Sequence, residues 1–281
     1  MIDLHMHTTA SDGRHSPEEL VSRAAAVGIR TMSVTDHDTM ASVPAAAAAA
    51  AARGIEIVPG IEMTAVHDGR DVHVLGYFLE AGSAELQAVL AAQRGERVER
   101  AREIARRLAG LGAPIDVDGL VARAPAGAAR SLARPSIAQA LVEAGHVASI
   151  AEAFDRYLSE GRPAYLPNRG LPPEEVVGVI NRAGGLAALA HPGTLKRDEI
   201  IPRLAEAGMG ALEAIHSDHD EAAREHYRAL ARRLGLAVSG GSDYHGEGVR
   251  RAESFGRTHL PAEDFEVLRE RAGRARADAV R

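Results

Sequence analysis

The sequence contains no cysteine. That excludes thiolate zinc sites, cysteine nucleophiles, dithiol redox motifs and any disulfide framework. Tryptophan is absent too, and aromatic residues make up only 3% of the 281 positions. The core must therefore pack mainly on Ala, Val, Leu and Ile, as α/β folds often do. Basic residues are outnumbered, 33 Lys and Arg against 39 Asp and Glu, for a net charge of -6. Wholesale binding of duplex DNA is thereby disfavoured. No run approaches ~18 apolar residues without charge or glycine, so no membrane span is expected. The start, Met1-Ile2-Asp3-Leu4-His5, reads directly as a strand and carries no signal-peptide pattern, so the expected location is cytoplasmic.

Against these absences stand two surpluses. Alanine inflates the 46% hydrophobic fraction, including the run Ala45–Ala52. Histidine occurs 13 times, often beside Asp. The length allows one large domain or about two smaller ones, enough to form a core without a structural metal.

The first 80 residues alternate strands and helices. Ile2–Leu4, Arg30–Thr35, Ile55–Val58 and Val72–Phe78 read as strands, with Asp68-Gly69 as a turn. Ser16-Pro17-Glu18-Glu19 is a helix start with Ser at the N-cap, Pro at N1 and Glu at N3, and the alanine run is a second helix. After residue 168 the pattern returns. Leu186–Ala190, Leu212–Ile215 and Leu236–Ser239 are strands separated by helices near 173–183, 199–207 and 220–234. Seven strands joined mostly by helices imply a parallel sheet or barrel. Between them, residues 93–168 read as an inserted helical subdomain, leaving 1–92 and 169–281 for the barrel. From Arg94 to Arg134 the insert holds nine Arg against five acidic residues.

The polar clusters fall where strands end. His5-Met6-His7 follows the first strand, with Asp12 soon after; Asp36-His37-Asp38 follows the second; the third leads to Glu62; and His73 lies within the fourth. His191, His216 and Asp243-Tyr244-His245 follow the last three. In a parallel α/β barrel the C-terminal strand ends converge on one face. His5 and His7, two apart on extended chain, point to one side, as do Asp243 and His245. Imidazoles and carboxylates without thiolates suit Zn, Mn or Fe. Nine such groups are too many for one ion, so two or three divalent ions are expected. Clustered ions of this kind serve phosphoryl transfer. Asp36 and Asp38 can alternatively be read as helix caps. His15, His67, His146, His226 and His259 are read as ordinary surface residues, and His219 is left open.

Taken in order, Asp3-Leu4-His5-Met6-His7-Thr8, Thr35-Asp36-His37-Asp38, Gly60-Ile61-Glu62, Ala190-His191-Pro192 and Ser242-Asp243-Tyr244-His245 resemble the successive motifs of the PHP (polymerase and histidinol phosphatase) family. The resemblance implies a distorted (β/α)7 barrel holding three divalent ions. It implies one ion at His5, His7, Glu62 and Asp243, a second at Asp12, His37 and His245, and a third at Glu62, His73 and His191. Asp12 stands where several family members have His. A carboxylate there is a harder, negative ligand and tilts the choice toward Mn over Zn or Fe. Arg134-Pro135-Ser136-Ile137-Ala138, Ala153-Phe154 to Tyr165-Leu166-Pro167, and Gly184-Gly185-Leu186 resemble one branch of the family. That branch acts on 3′,5′-bisphosphonucleotides such as phosphoadenosine phosphate, with relatives of the ribonuclease AM group that trim short 5′-phosphorylated RNA. Ser136 stands where many relatives carry His. The insert coincides with that branch's substrate-covering region.

The reading that follows is a metal-dependent hydrolase of the 3′-phosphate of bisphosphonucleotides, acting by direct water attack without a phosphoenzyme. His191 and His216 are expected to assist at the phosphate or leaving oxygen. Ser131, Arg134 and His216 are expected to bind substrate. The expected partners are a small nucleotide with two phosphates and short single-stranded RNA, with no duplex DNA and no membrane. Two alternatives are a histidinol-phosphate phosphatase, whose substrate amine would favour acidic groups over an Arg-rich insert, and a non-catalytic nucleic-acid module.

Overall fold

The computed structural model describes residues 1–123, 134–249 and 251–279. Seven strands form one sheet in sequential order: β1 (Ile2–Asp3), β2 (Thr31–Val34), β3 (Glu56–His67), β4 (Arg70–Tyr77), β5 (Leu186–Leu189), β6 (Ala211–His216) and β7 (Ala237–Gly241). The ends of the sheet meet. Leu4 N donates to Gly240 O, Asp243 N to His5 O and His7 N to Tyr244 O, and Met6 bridges Tyr244 in parallel. The result is a nearly closed, distorted (β/α)7 barrel, as expected.

The sheet is mixed rather than parallel. β4 runs antiparallel to both β3 and β5. The cause is the Asp68-Gly69 turn: a two-residue connection makes a hairpin, whereas a parallel return needs a crossover of a dozen residues or more. β3 is also three times longer than the strand Ile55–Val58, running 12 residues through Pro59 and Gly60. Those two residues look like a stop signal, yet at Gly60 a Cβ would lie 2.1 Å from Ser33 Oγ on β2. The glycine permits a close approach of neighbouring strands rather than ending one.

Elsewhere local chemistry sets the elements directly. The helix Pro17–Ala26 begins with the Ser16–Glu19 capping box and Pro at its first turn. In β5, alternation sends Leu186 and Ala188 to one apolar cluster, shared with Leu4, Val58, Leu75 and Tyr77 of the other strands. Ala187 and Leu189 go to the opposite cluster, beneath the helices Pro173–Arg182 and Glu221–Arg233. The helix Ala262–Ala279 adds Phe265 and Leu268 to the first cluster.

One 27-residue helix, Ala84–Gly110, is capped by Ser83 and begins nine residues before the expected start of the insert at 93. Its Leu86 and Leu90 join the barrel-side cluster. Its Ala101, Ile104 and Leu108 join a separate cluster with Ile137, Leu141, Tyr157 and Leu158. No helix among the described residues is long and apolar enough to cross a membrane.

Ring closure is tight at Gly241, where a Cβ would lie 2.4 Å from His5 N and 2.7 Å from Asp3 Oδ1. Neither neighbour can move without breaking the β7–β1 contact. Gly241→Ala is expected to cost about 1–3 kcal/mol through overpacking, measured as a fall of several degrees in melting temperature with the fold retained.

Candidate active site

The barrel gathers the polar strand ends into one basin. Glu62, midway along β3 and 1% exposed, is its centre. Glu62 Oε2 lies 3.1 Å from His5 Nε2 and 3.2 Å from His7 Nε2, and Asp243 Oδ1 lies 3.3 and 3.2 Å from the same nitrogens. His5, His7, Glu62 and Asp243 thus converge on one point. Asp12 lies 3.3 Å from His245 Nε2 and 3.8 Å from His37 Nε2, and these three converge with His7. Glu62 Oε1 faces His73 Nδ1 at 2.8 Å and His191 Nε2 at 3.1 Å, and His37 joins Glu62 and His73. All nine candidate ligands therefore meet. His73 lies inside its strand because β4 is reversed, so the first half of β4 reaches the ligand face.

A divalent cation fits these groups. The ring nitrogens of His7, Nδ1 of His37 and Nδ1 of His73 are buried beside carboxylate oxygens, yet none of them makes a well-aligned hydrogen bond. A buried polar atom left in that state is costly. Burial alone would depress the His7 imidazole, yet Asp243 and Glu62 lift it to about 10. Burial would raise Glu62, but the surrounding His37, His5 and His73 hold it well below the usual carboxylate range. His37 goes the other way, lowered by burial to about 4. The donors are all nitrogen and oxygen, suited to Zn, Mn or Fe.

Sequence reasoning confined to strand ends missed Glu213. It is fully buried in the middle of β6, with Oε1 2.8 Å from His5 Nδ1 and Oε2 accepting from His191 N at 2.6 Å. This bond fixes the His5 ring and leaves its Nε2 directed at the basin, as outer carboxylates do for ligating histidines. The available signal was a lone charge inside the apolar run Ala211-Leu212-Glu213-Ala214-Ile215. Arg251 was missed as well; it pairs with Asp243 and with Asp218.

Asp36 and Asp38 do not cap the following helix, Val43–Ala51, whose N-cap position is Ser42 and which has no side-chain cap. Asp36 instead accepts from Thr8 N and Oγ1, Ser11 Oγ and Ser42 Oγ. Asp38 accepts from Thr64 N and Oγ1 and pairs with Arg97. His216 is fully buried, with Nε2 3.3 Å from Asp243 Oδ2 and Nδ1 accepting from Asp218 N. His219 is buried behind it, bonded to Ala214 O and Gly193 N. Among the remaining histidines, His15 pairs with Glu247 and stacks on Tyr244, and His226 pairs with Asp198.

Beside the basin lies a cleft of about 300 Å³, lined by Asp12, His37 and His73 on one side and by Arg97, Arg100 and Arg134 on the other. Arg134 belongs to the helix Arg134–Glu143, and its guanidinium lies over the Tyr165 ring, 5.3 Å from the centroid. No carboxylate among the described residues pairs with it. Burial, and next the charge of Arg134, lower Arg100 below its ordinary value. Ser131 lies outside the described residues. A cavity of about 380 Å³ on the outer side of the long helix shares only Arg100 with the cleft and none of the convergent ligands.

A nearly closed seven-stranded α/β barrel with such a basin defines a metal-dependent hydrolase, and the comparisons agree. The PHP domain model matches residues 3–117. The chain is 35% identical over 252 residues to the 5′-3′ exoribonuclease Rnm of Salmonella typhimurium, covering 86% of this chain and 84% of that one. It is 35% identical over 263 residues to a 3′,5′-nucleoside bisphosphate phosphatase of Chromobacterium violaceum, covering 89% of each. A crystal structure from Bifidobacterium adolescentis, assigned as a metal-dependent phosphoesterase, superposes with a TM-score of 0.82 at 30% identity, over 96% of this chain and 95% of that one. The chain belongs to the PHP domain family of metal-dependent phosphoesterases.

His7→Ala and Asp243→Ala are each expected to lower metal content and abolish phosphoesterase turnover. The fold should be retained, because both residues lie beyond the strand ends rather than in the apolar clusters. Elemental analysis, circular dichroism and an assay with and without chelator check this. Glu213→Gln should weaken metal affinity by roughly 10–100-fold, read by competition with a chromogenic chelator.

Proposed function

We propose that this phosphoesterase removes the 3′-phosphate of 3′,5′-bisphosphonucleotides to give a nucleoside 5′-monophosphate and phosphate. Short 5′-phosphorylated oligoribonucleotides form its wider substrate class. The observation that carries this reading is the cleft in which Arg97, Arg100 and Arg134 face the convergent ligands. A bisphosphonucleotide brings two dianionic groups, and only one can sit at the reacting centre. The other needs fixed cations. Arginine suits this role because its planar fork binds phosphate oxygens in pairs. Arg97 is already paired with Asp38. Arg100 donates to Leu166 O. Arg134, stacked on Tyr165 and paired with no carboxylate among the described residues, has its guanidinium available to an anion. The bisphosphonucleotide phosphatase of C. violaceum and the exoribonuclease of S. typhimurium are both relatives at 35% identity, and both names point to nucleotide phosphoesters. Histidinol phosphate would instead bring an ammonium group toward the arginines.

In this reading His5, His7, Glu62 and Asp243 hold one ion, Asp12, His37 and His245 a second, and Glu62, His73 and His191 a third, with Mn favoured by the added carboxylate of Asp12. When bound, such ions polarise the phosphoryl group and supply a nucleophile at neutral pH. His191, the partly exposed histidine beside Glu62, meets the phosphate or leaving oxygen. His216, expected at the substrate, is fully buried with Nε2 3.3 Å from Asp243 Oδ2, so its role in this reading is to position Asp243 rather than to touch substrate. Arg97, Arg100, Arg134, Pro135, Phe154 and Asn168 of the insert wall the cleft, and Arg134 grips the phosphate that is not cleaved.

The test is a substrate screen in the presence of Mn, comparing adenosine 3′,5′-bisphosphate, AMP, histidinol phosphate and a 5′-phosphorylated oligoribonucleotide. The bisphosphate should be the best small substrate; preference for histidinol phosphate would overturn the reading. Truncating one partner of a buried charge pair costs roughly 2–5 kcal/mol. Arg134→Ala should therefore lower kcat/KM on the bisphosphate by about 30-fold or more, at about 1.4 kcal/mol per factor of ten. Turnover of p-nitrophenyl phosphate, which has no second phosphate, should barely change. Equal losses on both substrates would place Arg134 at the reacting phosphate or in the fold.

A further inference from the structure

Nine of the eleven residues that line the cleft beside the basin are charged or polar, and two are apolar. Phe154 and Pro135 line the same cavity as His37, His73 and Arg134. Phe154 is only partly buried and lies at the margin of the apolar cluster around Ile137 and Leu141, whereas Tyr157 and Leu158, just beyond it, are buried within that cluster.

The backbone explains how neighbours on one short helix divide in this way. Phe154–Leu158 is a turn of π-helix, in which Ser159 N donates to Phe154 O, 2.9 Å away and five residues back. In an α-helix, residues three and four apart share one face. The wider turn gives Tyr157 and Leu158 to the cluster and leaves the Phe154 ring bordering the cleft. Turns of this kind are rare and recur at functional positions.

We infer that Phe154 is the stacking platform for the nucleobase of the substrate. This rests on the nucleotide reading above and extends it to the one part of a nucleotide that the arginines and the metal-ligating basin leave without a partner. A base is uncharged, flat and apolar on its faces. The cleft offers one flat apolar ring at the wall shared by Arg134 and the candidate ligands. Its volume of about 300 Å³ is at the lower end of small-molecule sites. A ring contact accepts every base, because each has a π-face. The site is therefore tolerant of base identity, favours purines through their larger area, and can take the terminal nucleotide of an RNA of any sequence.

The absence of tryptophan makes a direct test available. Phe154→Trp introduces the sole tryptophan of the chain at the proposed contact. Titration of the purified enzyme with AMP should quench its fluorescence saturably, and ribose 5-phosphate, which lacks the base, should leave it unchanged. Kinetics supply the second arm. Phe154→Leu, apolar but without a ring, should raise KM for adenosine 3′,5′-bisphosphate about tenfold or more, as loss of one stacked base does, with kcat changed little. Phe154→Tyr should stay close to the parent enzyme. Equal quenching by AMP and ribose 5-phosphate, no quenching by AMP, or a Phe154→Leu enzyme with unchanged KM would each overturn the inference. Should the leucine variant fail to fold, the fluorescence titration still decides. AMP quenching in an enzyme that does not hydrolyse the bisphosphate would refute the proposed reaction and leave the base contact standing. Hydrolysis without quenching would do the reverse.

Discussion

Glu62 is the carboxylate on which the site depends. Its two oxygens lie within 3.5 Å of nitrogens from His5, His7, His37, His73 and His191. A buried carboxylate is expensive unless countercharge surrounds it, and here five imidazoles from four separate chain segments provide the surroundings. The barrel supplies their positions. β1 leads into His5 and His7, β2 into His37, reversed β4 brings His73, and β5 leads into His191. The 12-residue length of β3 then carries Glu62 into their midst.

Around this centre the backbone adopts conformations that L residues seldom take. Asp38, His191, Asp243 and Arg251 all have positive φ, at 51°, 28°, 52° and 71°. Such conformations cost of order 1–3 kcal/mol each and persist only where the surroundings determine them. Asp38 is held by its bonds from Thr64, His191 by the bond from its N to Glu213, Asp243 by the bond from its N to His5 O, and Arg251 by its pairs with Asp243 and Asp218. The bonds of Asp36 from Thr8, Ser11 and Ser42 brace the same loops. They also tie the barrel to the helical layer. Asp38 holds Arg97 of the long helix, and Gln93 of the same helix donates to Thr64 O, two residues beyond Glu62. The cationic wall of the cleft is thus braced against the loops that carry the ligands.

Much of this was legible from residue types alone. The pairs His5/His7 and Asp243/His245 sit at strand ends, where chain direction and alternation determine which way side chains face. Seven strands could be counted because their apolar runs are bounded by glycine and polar residues. Legibility failed where the deciding contact lies outside the local chain. Pro59-Gly60 reads as a stop because Ser33, the neighbour that requires a glycine, is remote in sequence. Glu213 reads as an anomaly in an apolar strand until His5, 208 positions earlier, is placed against it. Arg97 and Arg100 look like two more charges on a charged helix, since nothing nearby marks which of its faces meets the cleft.

The closure of the ring has a consequence for how the site comes into being. Ser242 N meets Asp3 Oδ1 across 239 positions, and Asp243 and His245 follow immediately. A chain emerging from synthesis therefore displays His5, His7 and His37 long before Asp243 exists to oppose them. Loop closure over such a span must be achieved before its contacts can repay the lost entropy. Premature capture of a cation by the early histidines would meet an incomplete set of donors, and the last strand converts that loose set into a convergent one. Assembly of the catalytic face and completion of the barrel are one event.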